Sequence, residues 1–135
     1  MPPRPRETLQ LELLLAVSPA SLWKMWLDPV HHGRFTDGAE AIVNDREGEM
    51  YSCWNGYIEG RNLRLEPGLR ILQSWRTADF AATDADSVLD LTFEAHEAGT
   101  RLHLKHSDLP FETGATYRKG WEEHYFVHMR SLFPA

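Results

Sequence analysis

Short β-forming runs divided by turn residues fill the middle of this chain, and they constrain its fold more than any other feature. The candidate strands cover residues 40–43, 50–54, 57–65, 69–76, 87–95 and 100–107. The sharpest turn signal is Asn55-Gly56, because both central residues of a type I′ hairpin turn need positive φ. The gaps between the runs leave no room for the helices that parallel strands require. The pattern therefore predicts an antiparallel meander.

One strand and two short helices are expected before this meander. Apolar residues at alternate positions predict a half-buried strand over residues 8–17. Ser18-Pro19 is typical of a helix start, and Asp28-Pro29 ends the helix that follows. A further helical turn is expected over residues 30–35.

The last segment, residues 113–133, is predicted to form the one long helix of the chain. Its apolar stripe at helical spacing consists of Tyr117, Trp121, Tyr125, His128 and Leu132. At 1.5 Å per residue such a helix is about 30 Å long, enough to cross a seven-stranded sheet. The sequence therefore predicts an α+β domain in which one long helix packs on a curved antiparallel sheet.

Charge, cysteine content and hydropathy exclude several classes of protein. The 14 Lys and Arg residues against 20 Asp and Glu give a formal net charge of −6, which disfavours a nucleic-acid partner. The single cysteine, Cys53, excludes an intrachain disulfide and a paired-thiolate zinc site, and it favours a reducing compartment. The longest apolar run, residues 13–17, is far too short to span a membrane. We therefore expect a cytoplasmic protein with no membrane partner, with a flexible arm over residues 1–6 and a single domain over residues 7–135.

A search for catalytic and metal-binding residues finds no strong pattern. His124 and His128 are spaced for one helical face, but the surrounding residues do not form a metalloprotease motif. Cys53 lies in a predicted strand, where an inert buried thiol is expected. Glu59 is the one carboxylate that we place facing the interior, where it would fix the polar end of a ligand. The sequence thus predicts no catalytic residue, no metal and no cofactor.

Several short motifs together resemble one known family. They are Pro19-Ala20-Ser21-Leu22-Trp23 with Asp28-Pro29 and Arg34-Phe35, then Gly56-Tyr57-Ile58-Glu59-Gly60, Leu65-Glu66-Pro67 and Ile71-Leu72-Gln73-Ser74-Trp75-Arg76, and finally Thr100-Arg101-Leu102, Ser107-Asp108-Leu109-Pro110 and Gly120-Trp121. In this order they resemble the activator of heat-shock protein 90 ATPase homologue family, within the START-like (SRPBCC, Bet v 1-like) superfamily of helix-grip folds. The resemblance covers roughly residues 7–133 and implies a seven-stranded curved sheet around the last helix.

The resemblance also implies a cavity between that helix and the sheet. The side chains expected to line it are Trp54, Glu59, Trp75, Tyr117, Trp121, Tyr125 and His128. An aromatic wall favours flat or hydrophobic guests, and His128 would be the polar handle. The alternative is that these aromatic side chains simply fill the core.

Three functions from different classes follow from these expectations. The first is a module that binds a small apolar or aromatic molecule. The second is a protein-interaction module that stimulates a chaperone ATPase, and the third is an enzyme of cyclase or hydrolase type, which the absence of an acid/base pair disfavours. A homodimer is also expected, because the wide apolar arc of the last helix, with Trp26 and Phe35, predicts a surface patch; a monomer is the alternative.

Overall fold

The computed structural model describes residues 5–135, so most of the arm expected over residues 1–6 lies outside the described residues. Six antiparallel strands form one sheet in the order β1-β6-β5-β4-β3-β2: β1 (Glu7–Leu15), β2 (Met50–Cys53), β3 (Ile58–Glu66), β4 (Arg70–Thr77), β5 (Ser87–His96) and β6 (Gly99–Leu109). Two short helices, α1 (Pro19–Trp26) and α2 (Pro29–Phe35), lie between β1 and β2 in the chain. The antiparallel meander and the flanking helices are confirmed. No helix of the described residues is long and apolar enough to cross a membrane.

The seventh strand, expected over residues 40–43, does not form a ladder, so the prediction of seven strands is wrong. Ile42 makes an isolated bridge to Ser52 and is 60% exposed, while its neighbours on both sides are buried. At each end of the segment, the side-chain amide of an asparagine makes the hydrogen bond that a main-chain group would make in a regular strand pair. Asn55 Oδ1 accepts from the Glu40 N–H, and Asn44 Nδ2 donates to the Met50 carbonyl. Such side-chain bonds compete with strand pairing, which explains the single bridge.

The C-terminal helix consists of three consecutive parts, α3 (Gly114–Gly120), a π-helical segment (Trp121–Phe126) and α4 (Val127–Leu132). The π-helical turn is wider than an α-helical one, so residues four and five apart stay on one face. The buried residues of this helix are accordingly Tyr117, Trp121, Tyr125, Phe126 and Met129. The predicted stripe is wrong at its end, because His128 is half-buried and Leu132 is 41% exposed.

Two aromatic residues expected at the surface belong to the core instead. Trp26 and Phe35 are only 2% and 1% exposed. The Trp26 ring stacks on Tyr125 with ring centroids 5.4 Å apart and lies 6.3 Å from the Trp121 ring. The two short helices therefore cover part of the wide apolar arc of the C-terminal helix. The homodimer stays a prediction, but these two residues do not supply a surface patch for it.

Gly60 is required in β3 because the neighbouring strand comes too close for any side chain. A Cβ atom at this position would lie 1.9 Å from the carbonyl oxygen of Ser74 and 2.8 Å from Cε1 of Tyr51. The Tyr51 hydroxyl donates to the same carbonyl at 2.7 Å, so neither neighbour is free to move. This close approach holds the strands that form the floor of the site described below.

We expect Gly60→Ala to lower the free energy of unfolding by about 1 to 3 kcal/mol, the usual cost of overpacking. Gly120→Ala is the matched control, because a Cβ atom there meets nothing within 4 Å. That change should instead stabilise the helix by about 0.5 to 1 kcal/mol. Denaturant unfolding of both variants measures the difference, and equal stabilities would show that Gly60 is not under steric constraint.

Candidate functional site

An aromatic cleft lies where the C-terminal helix crosses the sheet. Its lining residues are Trp54, Tyr57, Ile58 and Trp75 on the sheet side and Tyr117, Gly120, Trp121, His124 and Tyr125 on the helix side. The surface it exposes is entirely apolar. Its volume is about 30 Å³, which has room for about one water molecule, so in this conformation the aromatic side chains nearly fill it.

The cleft brings together most of the residues that the sequence analysis singled out. The five that line it are Trp54, Trp75, Tyr117, Trp121 and Tyr125. Glu59 is not among them: its side chain is exposed, because its neighbours Ile58 and Gly60 occupy the inward positions of the strand. The expectation that Glu59 faces the interior is therefore wrong. His128 also lies outside the cleft and lines a separate recess beside it.

Four residues that line the cleft are not among the lining residues predicted from the sequence: Tyr57, Ile58, Gly120 and His124. Strand alternation around Gly60 would have indicated Ile58. His124 lies three residues after Trp121 and so shares a helix face with it, a spacing that would have indicated it.

A hydrogen-bonded chain fixes Trp121 to the floor of the cleft. The Trp121 indole N–H donates to Nδ1 of the buried His106 at 3.1 Å. The other ring nitrogen of His106, Nε2, then carries the proton and donates to Ser87 Oγ at 2.8 Å. The Ser87 hydroxyl in turn donates to the Trp75 carbonyl at 2.7 Å. Burial lowers the pKa of His106 to about 3, so the ring is neutral and the chain of donors runs in one direction.

A second buried histidine holds Tyr125, one turn further along the helix than Trp121. His32 Nδ1 donates to the Trp26 carbonyl at 2.7 Å, so its Nε2 accepts from the Tyr125 hydroxyl at 2.8 Å. Burial lowers the pKa of His32 to about 4. The polar groups of Trp121 and Tyr125 are thus both bonded to protein side chains and are not available to a guest.

Two further tyrosine hydroxyls of the cleft bond to β4 and to the turn that follows it. The Tyr117 hydroxyl lies 2.7 Å from Thr77 Oγ1, and the Tyr57 hydroxyl donates to Asp79 Oδ2 at 2.5 Å. Burial is the main cause that raises the pKa of Tyr57 to about 12. Tyr57 is half-buried and forms part of the rim, whereas Tyr117 is buried and forms part of the floor.

The cleft carries no activated nucleophile. The Cys53 thiol is buried, and burial raises its pKa to about 12, so it stays protonated at neutral pH. Within residues 5–135 no group of three or more His, Cys, Asp and Glu side chains is placed to hold a metal ion. The cleft therefore offers aromatic surfaces for contact with a guest molecule and no reactive group.

A polar recess adjoins the cleft. It is lined by Thr36, Asp37, Gly38, Ala39, Trp54, Asn55, His124 and His128 and has a volume of about 420 Å³. Two of these residues, Trp54 and His124, also line the aromatic cleft. Their rings pack together with centroids 4.5 Å apart, and the Trp54 ring also meets the edge of Tyr57 at 5.2 Å.

Comparison with known proteins identifies the family. The model for the "Activator of Hsp90 ATPase homolog 1-like protein" family matches residues 16–133. This chain belongs to that family. A curated relative, the "Activator of 90 kDa heat shock protein ATPase homolog" of Dictyostelium discoideum, is 23% identical over 128 residues, which are 94% of this chain and 33% of that protein. This chain therefore spans about a third of the length of the relative.

Solved structures share the fold of this Hsp90 ATPase activator homologue family member. An HSP90 activator from Plasmodium falciparum superposes with a TM-score of 0.80 and 23% identity, covering 94% of this chain and 97% of its own. A protein from Chromobacterium violaceum gives a TM-score of 0.76 and 20% identity, covering 97% and 99%. These similarities confirm the α+β helix-grip architecture, with a C-terminal helix on an antiparallel sheet.

Proposed function

We propose that this protein is a binding module for a small apolar or aromatic molecule, which it takes up at the aromatic cleft. The observation that carries the proposal is the lining itself, an apolar surface formed mainly by six aromatic side chains and one imidazole. Ligand sites are typically concave and lined by such side chains, with a few polar groups nearby. The polar recess beside the cleft supplies those groups.

The distribution of burial within the cleft supports this proposal. The floor consists of buried side chains, among them Trp75 and Trp121, and a hydrogen bond to His106 holds the Trp121 ring in place. The rim consists of the half-buried Trp54 and Tyr57 and the exposed His124. Binding thus requires displacement of rim side chains and leaves the floor intact.

Gly120 offers a way to block the cleft without damaging the fold. It lies on the helix at φ −60°, lines the cleft, and has open space where a Cβ atom would be. We expect Gly120→Leu to fill the cleft and to weaken binding of an apolar probe such as naphthalene at least tenfold. The higher helix propensity of leucine, worth about 0.8 kcal/mol over glycine, offsets part of the cost of crowding the rim side chains, so we expect the variant to stay folded. Isothermal titration calorimetry measures the affinity, and thermal unfolding measures the stability.

The matched controls separate filling of the cleft from a general effect on the helix. Ala115→Leu introduces the same side chain at an exposed position of α3 and should leave the affinity unchanged. Native mass spectrometry of the protein taken from cells adds an independent readout, since a retained molecule should be absent from Gly120→Leu. Unchanged naphthalene affinity in Gly120→Leu would place binding elsewhere, and no binding by the unsubstituted protein would refute the proposal.

A second candidate function is stimulation of a chaperone ATPase. It is favoured by the family to which the chain belongs and by the names of the Dictyostelium and Plasmodium relatives. Purified 90 kDa heat shock protein mixed with this chain should then hydrolyse ATP faster. Because a protein-interaction surface does not need the cleft, Gly120→Leu should stimulate as well as the unsubstituted chain, which separates the two functions.

A further inference from the structure

The aromatic cleft and the polar recess are separated by one pair of rings. Trp54 and His124 line both cavities, and their ring centroids are 4.5 Å apart. On one side of this pair the cleft has a volume of only about 30 Å³, while the recess on the other side has about 420 Å³. The smaller volume is below the range of ligand sites and the larger one lies within it. Displacing this pair would therefore join the cleft to a space of ligand size.

The backbone at Trp54 is held in an unfavourable conformation. Its φ is +51°, in the left-handed region that bulky L-residues rarely adopt. Asn55 and Gly56 follow with φ values of +58° and +84°. Asparagine and glycine tolerate this region, whereas tryptophan does not, so Trp54 is the strained residue of this turn. Residues strained in this way cluster at ligand clamps and switch regions.

The loop that carries Trp54 is fixed at its base, while the indole is held less firmly. Asn55 N–H donates to the Glu40 carbonyl at 3.0 Å, and Asn55 Oδ1 accepts from the Glu40 N–H at 2.9 Å. The indole is half-buried and is held by ring contacts with Tyr57 and His124. A change of the Trp54 rotamer would therefore leave the main chain in place.

We propose that Trp54 and His124 form a movable partition, and that the guest occupies both cavities at once when the indole swings away. This inference rests on the proposed binding function and specifies its ligand class. The guest has a flat apolar part, which lies against Trp75 and Trp121, and one hydrogen-bonding group, which lies in the recess. We assign the polar contact there to the His128 ring, which lines the recess and lies outside the cleft. Thr36 and Asn55 also line the recess, but their side chains already bond to main-chain groups.

The test compares two probes that differ by one polar group, naphthalene and 2-naphthol. We expect 2-naphthol to bind the unsubstituted protein at least tenfold more tightly than naphthalene. His128→Leu should remove most of this difference and leave the naphthalene affinity within twofold. Trp54→Gly should raise the association rate constant of 2-naphthol at least fivefold in stopped-flow fluorescence, because the partition is then absent.

Two control variants distinguish removal of the Trp54 ring from relief of backbone strain and from misfolding. Asp108→Gly relieves a left-handed residue with φ +58° that lines neither cavity, and it should not change the association rate. Trp54→Asn removes the ring while keeping a residue that tolerates positive φ, and it should bind as fast as Trp54→Gly. Far-ultraviolet circular dichroism verifies that each variant is folded.

The outcomes separate this inference from the proposed function. If the protein binds both probes equally well, or if the two Trp54 variants bind 2-naphthol no faster, the partition is refuted while the binding function stands. If neither probe binds the unsubstituted protein or the Trp54 variants, both are refuted.

Discussion

Replacing Trp121 with alanine is expected to lower the free energy of unfolding by about 3 to 5 kcal/mol, the range for removing a large aromatic side chain from a core. The residue is 3% exposed, and its ring lies within 6.3 Å of those of Trp26, Trp75 and Tyr125. Thermal unfolding should shift downwards by about 10 to 20 °C for a domain of this size. A shift of only a degree or two would mean that Trp121 does not connect helix and sheet.

Trp121→Phe separates packing from hydrogen bonding. Phenylalanine keeps most of the ring contacts but removes the indole N–H, which leaves Nδ1 of the buried His106 without its donor. We expect a smaller cost of about 1 to 3 kcal/mol, the usual penalty for an unsatisfied buried polar group. If the phenylalanine and alanine variants are equally unstable, the hydrogen bond dominates over the packing.

Acid is expected to unfold this protein through its two buried histidines. Burial lowers the pKa of His32 to about 4 and that of His106 to about 3, against about 6.5 in an unfolded chain. Between these values the unfolded chain binds protons that the folded protein does not, so stability is complete above pH 6.5 and decreases as the pH falls. Each histidine contributes a slope of about 1.4 kcal/mol per pH unit, and the two together lower the stability by about 5 kcal/mol at pH 4.5.

Urea unfolding at pH values from 7.5 to 4.5 measures this dependence. His32→Gln and His106→Gln should each remove about half of the slope while also lowering the stability at pH 7.5. The control is Ile71→Val, a buried change without a titrating group, which should lower stability by about 1 kcal/mol at every pH and keep the slope. Should the histidine variants keep the full slope, other groups would be responsible for the acid sensitivity.

Most of the candidate site was predictable from local spacing, and the misses have identifiable causes. Tyr117, Trp121 and Tyr125 follow one another at four-residue intervals, a spacing that indicates one helix face whether the turn is α or π. His128 breaks that interval by one residue, so the π-helical segment moves it off the inner face and into the recess. Glu59 faces outward because its strand neighbours Ile58 and Gly60 occupy the buried positions, and successive residues of a strand point to opposite faces.

The sequence by itself determined the order of the elements and the antiparallel pairing, because strand alternation, turn residues and helix caps are local signals. Only the tertiary structure decided that residues 40–43 form a single bridge and that Trp26 and Phe35 are buried. It also decided that the cleft is nearly filled and that Trp54 closes it in a left-handed conformation. These outcomes depend on contacts between residues far apart in the chain, such as Trp26 with Tyr125 and Trp54 with His124, which no local pattern encodes.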